Sequence, residues 1–374
     1  MSRQTDELQE LQELQELREV TRRFLADKAS LSDVRRLVEG EESFDRAVWQ
    51  QLAAQLGLQG IAIPEELGGA GLGPVELGIV CEELGRALYI GPFFATVVLA
   101  AQALSASGDS EAEQRWLPSI AAGELTATLA VADRSGEIDA EAVTTTAALS
   151  GEDWVLTGSK RFVVDGHTAG LLLIAALNGE EVGLFAVTGD ASGLTRQALP
   201  QLDPTRQLST VVLDGTPATR VGGDAAELLG RVRDLVSTHL AAEQVGGASA
   251  ALEMAVEYAK VREQFGRPIG TFQAIKHKCA DRLVEVESAR NAVAAAAAQL
   301  ADGHPDASLT ASAAAAWVGP TFTRVAMDNI QIHGGIGFTW EHDSHFFLKR
   351  AKSSEVLFGS PTHHRSRVAD LAGI

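Results

Sequence analysis

The sequence has little of several residue types, and each scarcity excludes a class of protein. Only two of its 374 residues are cysteines, Cys81 and Cys279, and they form no CxxC pair. This excludes a disulfide framework or a cysteine zinc site and favours a reducing compartment. Aromatic residues make up only 5% of the chain, too few for a surface that stacks nucleobases. Basic residues number 31 against 50 acidic ones, and they form no cluster. The net charge of −19 therefore argues against nucleic acid and anionic membrane surfaces as partners.

Long apolar runs are also missing. The longest uncharged run, residues 88–107, contains Gly91, Pro92 and Gln102, so it resembles a buried helix more than a membrane span. The first residues lack the apolar core of a signal peptide. His residues show no metal-binding spacing, and we predict no metal site. We expect a cytoplasmic protein of two or three domains.

The hydrophobic period divides the chain into three parts, which together predict an α+β fold. Residues 1–123 should form an N-terminal all-helical domain, with one helix beginning at the N-cap Ser43. Residues 124–224 contain short alternating segments separated by turn residues, which indicates a middle β-barrel or β-sandwich domain. Residues 225–374 return to the helical period and predict a C-terminal four-helix bundle with a kink at Gly319-Pro320. The predicted helices cover 7–29, 43–56, 75–89, 93–107, 111–122, 225–262, 272–302, 307–330 and 340–357.

A twelve-residue segment between two C-terminal helices, REQFGRPIGTFQ (262–273), combines an arginine with aromatic rings and helix breakers. The guanidinium of Arg262 close to Phe265, beside a helix end, suits a ligand that carries phosphate and a flat ring. An ordinary helix–turn–helix corner would also need such glycine and proline residues. The segment alone therefore leaves both interpretations open.

Three further segments help to decide between them, because together they resemble the acyl-CoA dehydrogenase family. GLQGIAIPEELGGAG (57–71) and EELGR (82–86) are similar to that family's GLxGxxxPxExGGxG and EELGR. QIHGGIGFT (331–339) is similar to its QxxGGxGF(T/S), and it follows REQFGRPIGTFQ at the expected helical distance. The resemblance covers nearly the whole chain.

The resemblance implies a flavoenzyme that desaturates a CoA thioester between its α and β carbons, with FAD as cofactor and an electron-transfer flavoprotein as acceptor. It also implies a dimer of dimers in which one subunit reaches the flavin held mainly by its neighbour. The matching residues are Arg262, Phe265, Gln273, Gln331, Gly334 and Gly335. Arginine is a bidentate donor to phosphate, and a Gly-Gly pair lets the backbone approach a ligand closely. As an alternative, Gln331 to Gly337 would form only a helix C-cap.

Two stretches depart from the family pattern where a subunit contacts its own flavin. The family's Thr-Glu-Pro-x-Ala-Gly-Ser-Asp is replaced by VADRSGEID (131–139), without the proline or the Gly-Ser pair. After Gly158-Ser-Lys160, the usual Trp-(Ile/Val)-(Thr/Ser)-Asn is replaced by Phe162-Val-Val-Asp165. Phe162 can still lie against a flavin ring, but Val164 has no hydroxyl to donate a hydrogen bond to it.

The catalytic base of the family is also missing from its usual place. The glutamate of Tyr-Glu-Gly-Thr, which removes the α-proton, corresponds here to Phe358, and a phenyl ring takes no proton. A second base position used in some members falls near Val236-Ser237 and holds no acid. Glu243, about two turns later, has small or apolar neighbours, so it is either a buried structural acid or an alternative base. Glu355 is a further candidate that should face away from the site.

The motifs that serve a neighbour's flavin are thus kept, while those that serve the chain's own flavin and proton transfer are altered. This asymmetry resembles the base-lacking subunit of actinobacterial-type heterotetrameric dehydrogenases, which act on CoA thioesters of steroid side chains. Two alternatives stay open: a self-sufficient homotetramer that uses Glu243 as its base, and a non-catalytic relative that binds CoA thioesters or proteins.

Overall fold

The fold is described by a computed structural model covering residues 2–151 and 153–374, with side chains from Gln9 onward apart from Glu10. The N-terminal part is helical, as predicted. Asp45, and not Ser43, caps the third helix, because its carboxylate accepts hydrogen bonds from the amides of Ala47 and Val48. The helices are α1 (Ser2–Lys28), α2 (Leu31–Glu39), α3 (Arg46–Leu56), α4 (Pro74–Arg86), a π-helical segment (Phe94–Ala101), α5 (Gln102–Ala106) and α6 (Ser110–Ala121).

Seven strands form the middle β domain, and their hydrogen bonds close into a barrel. The circuit runs from the fourth strand through the second, third, seventh and fifth strands and back to the fourth. The first strand extends the barrel beside the fourth, and the sixth pairs with the seventh. The strands are β1 (Ala127–Ala130), β2 (Thr146–Ser150), β3 (Asp153–Val164), β4 (Leu171–Asn178), β5 (Glu181–Thr188), β6 (Leu194–Ala198) and β7 (Leu208–Asp224).

The C-terminal part is again helical. The four predicted helices are present, a fifth one follows them, and the third continues through Pro320. A two-stranded hairpin and a 3₁₀ turn separate the first two helices. The elements are α7 (Ala226–Val261), β8 (Glu263–Gln264), β9 (Arg267–Pro268), α8 (Gln273–Ala301), α9 (Ala307–His333), a 3₁₀ segment (Gly334–Phe338), α10 (Ser344–Ser354) and α11 (Pro361–Ala372). The order of helices, strands and helices is therefore confirmed.

Helices α4 and α7 cross very closely at two glycines. A Cβ added to Gly85 would lie 1.9 Å from the carbonyl oxygen of Glu243, and one added to Gly246 would lie 1.8 Å from that of Glu82. Any side chain at either glycine would push the helices apart. The glycine of the EELGR segment therefore fixes the position from which Glu243 projects.

The largest hydrophobic core cluster joins all three parts of the chain. It includes Leu52 of α3, Leu171 of β4, Val236 of α7 and, near the end of the chain, Phe358. The candidate site lies within this shared core, where the barrel meets α4 and α7.

Candidate functional site

A small internal cavity lies between α4, α7, α10 and the end of strand β3. Its volume is about 30 Å³, roughly the space of one water molecule. Four charged side chains line it: Asp165, Arg206, Glu243 and Arg350. Ligand-binding pockets for small molecules usually hold about 300–1,000 Å³, so this cavity is closed to an acyl chain.

A buried ion-pair network fills the space beside this cavity. Glu243 of α7 pairs with Arg206 and with Arg350 of α10, whose Nη1 lies 3.0 Å from the Glu243 Oε1. The Nε of Arg350 also contacts Asp203 at 3.1 Å, and its Nη2 donates to the carbonyl oxygen of Thr205 at 2.7 Å. These four charged side chains, Asp203, Arg206, Glu243 and Arg350, are each at most 8% exposed. We call them the buried ion-pair network.

The network makes Glu243 a poor proton acceptor. Burial alone would raise the pKa of its carboxyl, but Arg206 and Arg350 outweigh burial and hold the pKa below its ordinary value. A general base works best when its pKa lies near the operating pH. The structure confirms that Glu243 is buried, and its two guanidinium partners favour the structural interpretation of this acid.

Asp165 is a second unusual carboxyl in the same cavity. It stands where the family pattern has asparagine, and its backbone lies in the left-handed region with φ of 52°. Burial raises its pKa to about 7, against the opposing effect of Arg206 and Arg350 and with a further contribution from Glu243. The cavity therefore holds a carboxyl that keeps its proton up to neutral pH.

Replacing Asp165 by asparagine should stabilise the protein at alkaline pH. The native carboxyl binds a proton between about pH 4 and 7 that the unfolded chain has lost, so its contribution to stability falls as the pH rises through that range. Asparagine removes this titration and tolerates the left-handed backbone well. We expect the free energy of unfolding to rise by about 2 kcal/mol at pH 8, and by much less at pH 4. Urea denaturation at both pH values tests this, and an equal change at the two pH values would contradict it.

A second cavity gathers the three places where the sequence departs from the family pattern. Its lining comprises residues 129–132, 136–138 and 161–163, together with Leu99 and Phe358. Its volume is about 10 Å³, which leaves room for at most about one water molecule. The three altered segments are therefore neighbours in space.

Aromatic side chains of the chain itself occupy this region. The Phe358 ring is 7% exposed and stacks on Phe94, with centroids 6.2 Å apart and planes inclined by 14°. Both Phe358 and Phe162 have positive φ, at 60° and 57°, which is a strained conformation for a bulky residue. An isoalloxazine ring needs far more than the 10 Å³ present, so these residues do not fit a flavin ring of the chain's own.

The loop 131–139 is held in place by a buried pair. Nζ of Lys160 lies 2.8 Å from Oδ1 of Asp133 and donates to the carbonyl oxygen of Val131 at 2.9 Å. The Asp133 carboxylate also accepts hydrogen bonds from Thr144 and Thr145. Lys160 of the retained Gly158-Ser-Lys160 segment thus holds the altered loop against strand β3.

The segment 262–273 forms an exposed hairpin at the end of α7. Phe265 and Gly266 make the turn between β8 and β9, both with positive φ, and the Phe265 side chain is 91% exposed. The Phe265 ring meets the edge of Phe272 at 6.1 Å, and the Arg267 guanidinium lies 4.3 Å above the Phe272 ring. Arg262 and Gln273, at the two ends of the segment, are also exposed.

The structure brings this hairpin close to the second motif, at the end of α9. The ring of Tyr258 stacks on that of His333, with centroids 4.2 Å apart, and His333 immediately precedes Gly334 and Gly335. Gln331, Gly334 and Gly335 are exposed, as are the predicted contact residues of the hairpin. We call the exposed set Arg262, Phe265, Gln273, Gln331, Gly334 and Gly335 the clamp. Their roles toward a ligand remain predictions.

The remaining candidates lie outside this arrangement. Glu355 accepts a hydrogen bond from Thr323 at 2.9 Å and pairs with Lys352 at 3.0 Å, and it lines neither cavity. Within the described residues, no group of three or more metal-binding side chains is found. No helix among the described residues is long and apolar enough to cross a membrane.

Sequence reasoning missed Arg206 and Arg350. Arg350 carried a detectable signal, since it falls on the buried stripe of α10 that also contains Phe346, Phe347 and Ser354. An arginine on the apolar face of a helix requires buried acidic partners. Arg206 lies in an irregular loop without periodicity, so no local pattern marked it.

Models of known protein families match both the N-terminal and the C-terminal part of the chain. Residues 237–372 match the family model described as "Acyl-CoA dehydrogenase, C-terminal domain", and residues 11–124 match "Acyl-CoA dehydrogenase, N-terminal domain". The acyl-CoA dehydrogenase IpdE2 of Mycolicibacterium smegmatis is 34% identical over 340 residues, which cover 91% of this chain and 92% of that protein. The chain therefore belongs to the acyl-CoA dehydrogenase family of oxidoreductases.

Solved structures of other proteins are similar to this chain over nearly its whole length. A variant of the Tcur3481-Tcur3483 steroid ACAD gives a TM-score of 0.87 at 33% identity, with coverage of 97% of this chain and 98% of that chain. The ChsE4-ChsE5 complex from Mycobacterium tuberculosis gives a TM-score of 0.88 at 30% identity, with coverage of 96% and 97%. The predicted family and the three-part fold are thus confirmed.

Proposed function

We propose that the chain is one subunit of a hetero-oligomeric, FAD-dependent acyl-CoA dehydrogenase. In this proposal it completes the flavin site of a partner subunit that supplies the catalytic glutamate and most contacts to the flavin ring. The substrate is a CoA thioester, and an electron-transfer flavoprotein is the proposed electron acceptor. The domain boundaries at 123/124 and 224/225 belong to the same proposal.

The observation that carries this proposal is the contrast between a closed internal site and an open clamp. The cavity beside Phe358 holds about 10 Å³, and the buried ion-pair network occupies the space next to Glu243. The clamp, in contrast, is exposed on the surface. Random loss of function would not spare one half of a binding site, so the retained half has a ligand outside this chain's own core.

The chemistry of the clamp suits the diphosphate and adenosine end of FAD. Arg262 offers a guanidinium that binds phosphate by two parallel hydrogen bonds. Gly334 and Gly335 carry no side chains, so a phosphate or ribose oxygen can approach their backbone closely. The amide of Gly334 already caps α9 by donating to the carbonyl oxygens of Gln331 and Ile330. Phe265 offers an exposed ring against which a flat base can stack.

Exposed apolar side chains on α7, α8, α9 and the turns that follow them support association with another subunit. Lys278 and Arg282 of α8 pair with Asp328 of α9, which places the outer faces of the two helices side by side. Exposed apolar patches of this kind mark protein interfaces. The large exposed apolar side chains here are Val261, Phe265, Leu283, Val284, Met327 and Phe338. The relatives described as a steroid ACAD and as the ChsE4-ChsE5 complex fit a hetero-oligomer that acts on a steroid-derived thioester.

Activity of the chain with and without its partner tests the proposal. The chain alone should not dehydrogenate any acyl-CoA with a dye as electron acceptor. Co-expression with a base-containing subunit from the same organism should give a complex that does. A homotetramer of this chain that desaturates an acyl-CoA would overturn the proposal and would favour Glu243 as base. A complex without flavin or activity, with every candidate partner, would favour the non-catalytic relative.

A further inference from the structure

The clamp has two halves, one in the hairpin (Arg262, Phe265 and Gln273) and one at the end of α9 (Gln331, Gly334 and Gly335). Three aromatic side chains lie in contact between them. The ring of His333 lies between Tyr258 on α7 and His342, which follows the 3₁₀ segment after α9. The ring centroids are 4.2 Å apart in both contacts, and the planes are inclined by 29° and 46°. We call Tyr258, His333 and His342 the aromatic stack.

Hydrogen bonds hold the residues of the stack close to both halves of the clamp. The carbonyl oxygen of Tyr258 accepts the amide hydrogen of Arg262 at 2.9 Å, which fixes where the first half leaves the helix. The Nδ1 of His333 lies 2.8 Å from the carbonyl oxygen of Asn329 and donates to it, which fixes the ring against α9. Tyr258 thus lies four residues before Arg262, and His333 lies directly before Gly334.

The far end of the stack holds the Gly334–Phe338 segment. The Nδ1 of His342 accepts the amide hydrogen of Ser344 at 3.1 Å, and the Ser344 hydroxyl donates to the carbonyl oxygen of Gly337 at 2.8 Å. A Cβ on Gly337 would lie 2.8 Å from the Cβ of His333. The 3₁₀ segment is therefore packed closely against the Cβ of His333, and Ser344 links it to the ring of His342.

We propose that the Tyr258–His333–His342 stack sets the distance between the two halves of the clamp, and that these are positioning residues for the flavin nucleotide held with the partner. This inference rests on the proposed function. None of the three rings needs to touch the ligand. Their role is to hold the Arg262 backbone and the Gly334-Gly335 backbone at one fixed separation. If that separation varied, the two halves of the clamp would bind the nucleotide less tightly.

The test measures FAD affinity of the complex with the base-containing partner. Tyr258→Leu removes the ring contact and should weaken FAD binding about threefold to tenfold, in line with the energy of an aromatic pair. Tyr258→Phe keeps the ring and should restore the wild-type affinity. Arg262→Ala should weaken binding by about tenfold to a hundredfold, since it removes a charged hydrogen-bond donor.

A matched control separates positioning from general stability. Trp154 and Phe185 form an aromatic pair in the β barrel with centroids 5.3 Å apart, and Trp154→Leu should lower stability without changing FAD affinity. If Arg262→Ala has no effect, the clamp itself is wrong and the proposed function fails. If Arg262→Ala weakens binding but Tyr258→Leu does not, only the role of the stack is overturned. If Trp154→Leu weakens FAD binding as much as Tyr258→Leu does, the role of the stack is overturned as well.

Discussion

Glutamine in place of Glu243 should lower the free energy of unfolding by about 3 kcal/mol at pH 7. The substitution keeps the shape but removes the charge that neutralises Arg206 and Arg350, both of them buried. Breaking a buried ion pair costs about 3–5 kcal/mol, because an uncompensated charge stays in the interior. Asp203 remains as a partner of Arg350, so we expect the lower end of that range. Urea denaturation of both proteins measures the difference.

The stability that Glu243 contributes should depend on pH in a defined direction. The native pKa of Glu243 lies below its ordinary value, so its contribution to stability is complete above about pH 5 and is lost as the pH falls through the native pKa. Glu355→Gln is the matched control, since Glu355 pairs with the half-exposed Lys352 and should cost less than about 1 kcal/mol. A Glu243→Gln protein that keeps its stability and FAD but loses turnover would identify Glu243 as the base instead.

Glutamate in place of Phe358 should destabilise the protein by about 4 kcal/mol at pH 7 and should create no dehydrogenase. The substitution introduces the family's usual base residue at its usual position. At that position the side chain is buried against Phe94, so a carboxylate would replace a packed aromatic ring. Burial would raise its pKa, and the cost should therefore shrink as the pH falls.

Phe358→Leu separates the two effects of that substitution. Leucine loses part of the ring contact but remains apolar, and it should cost about 1–2 kcal/mol at any pH. Purified alone, both variants should be colourless and inactive, because the surrounding cavity stays too small for a flavin ring. A Phe358→Glu chain that binds FAD and desaturates an acyl-CoA without a partner would mean that only the base was missing.

Much of the fold was predictable because the hydrophobic period of its helices and strands is visible in the sequence. The helices α4, α7, α8 and α9 have long apolar stripes, and the predicted strands fall on β1 to β7. The ends of the strands were harder to predict, since β3 continues to Val164 and β7 to Asp224, and both are longer than the short alternating segments in the sequence. The end of β3 pairs with the beginning of β7, as Val164 does with Leu208, and β7 continues along the beginning of β3, where Ala218 pairs with Trp154. No local pattern reveals this pairing. The short helices α2 and α11 were not predicted.

In the candidate site, too, local motifs were visible in the sequence and long-range contacts were not. The clamp residues were predicted from contiguous motifs at helix ends, and their contacts with a ligand stay a prediction. The structure places the two motifs together through Tyr258 and His333. The closure of the internal site was not predictable. It depends on Arg206 from a loop and Arg350 from α10 converging on Glu243, three residues separated by 37 and 107 positions. Only tertiary structure brings such partners together.

The visible absorbance spectrum, combined with the subunit ratio, tests the central claim most directly. The claim is that the chain holds no flavin ring in its own core and completes the site of another subunit. It predicts a colourless protein when the chain is purified alone, and a yellow complex with one FAD for each pair of unlike subunits. A yellow protein in the absence of a partner, or two FAD molecules for each pair of subunits, would contradict it.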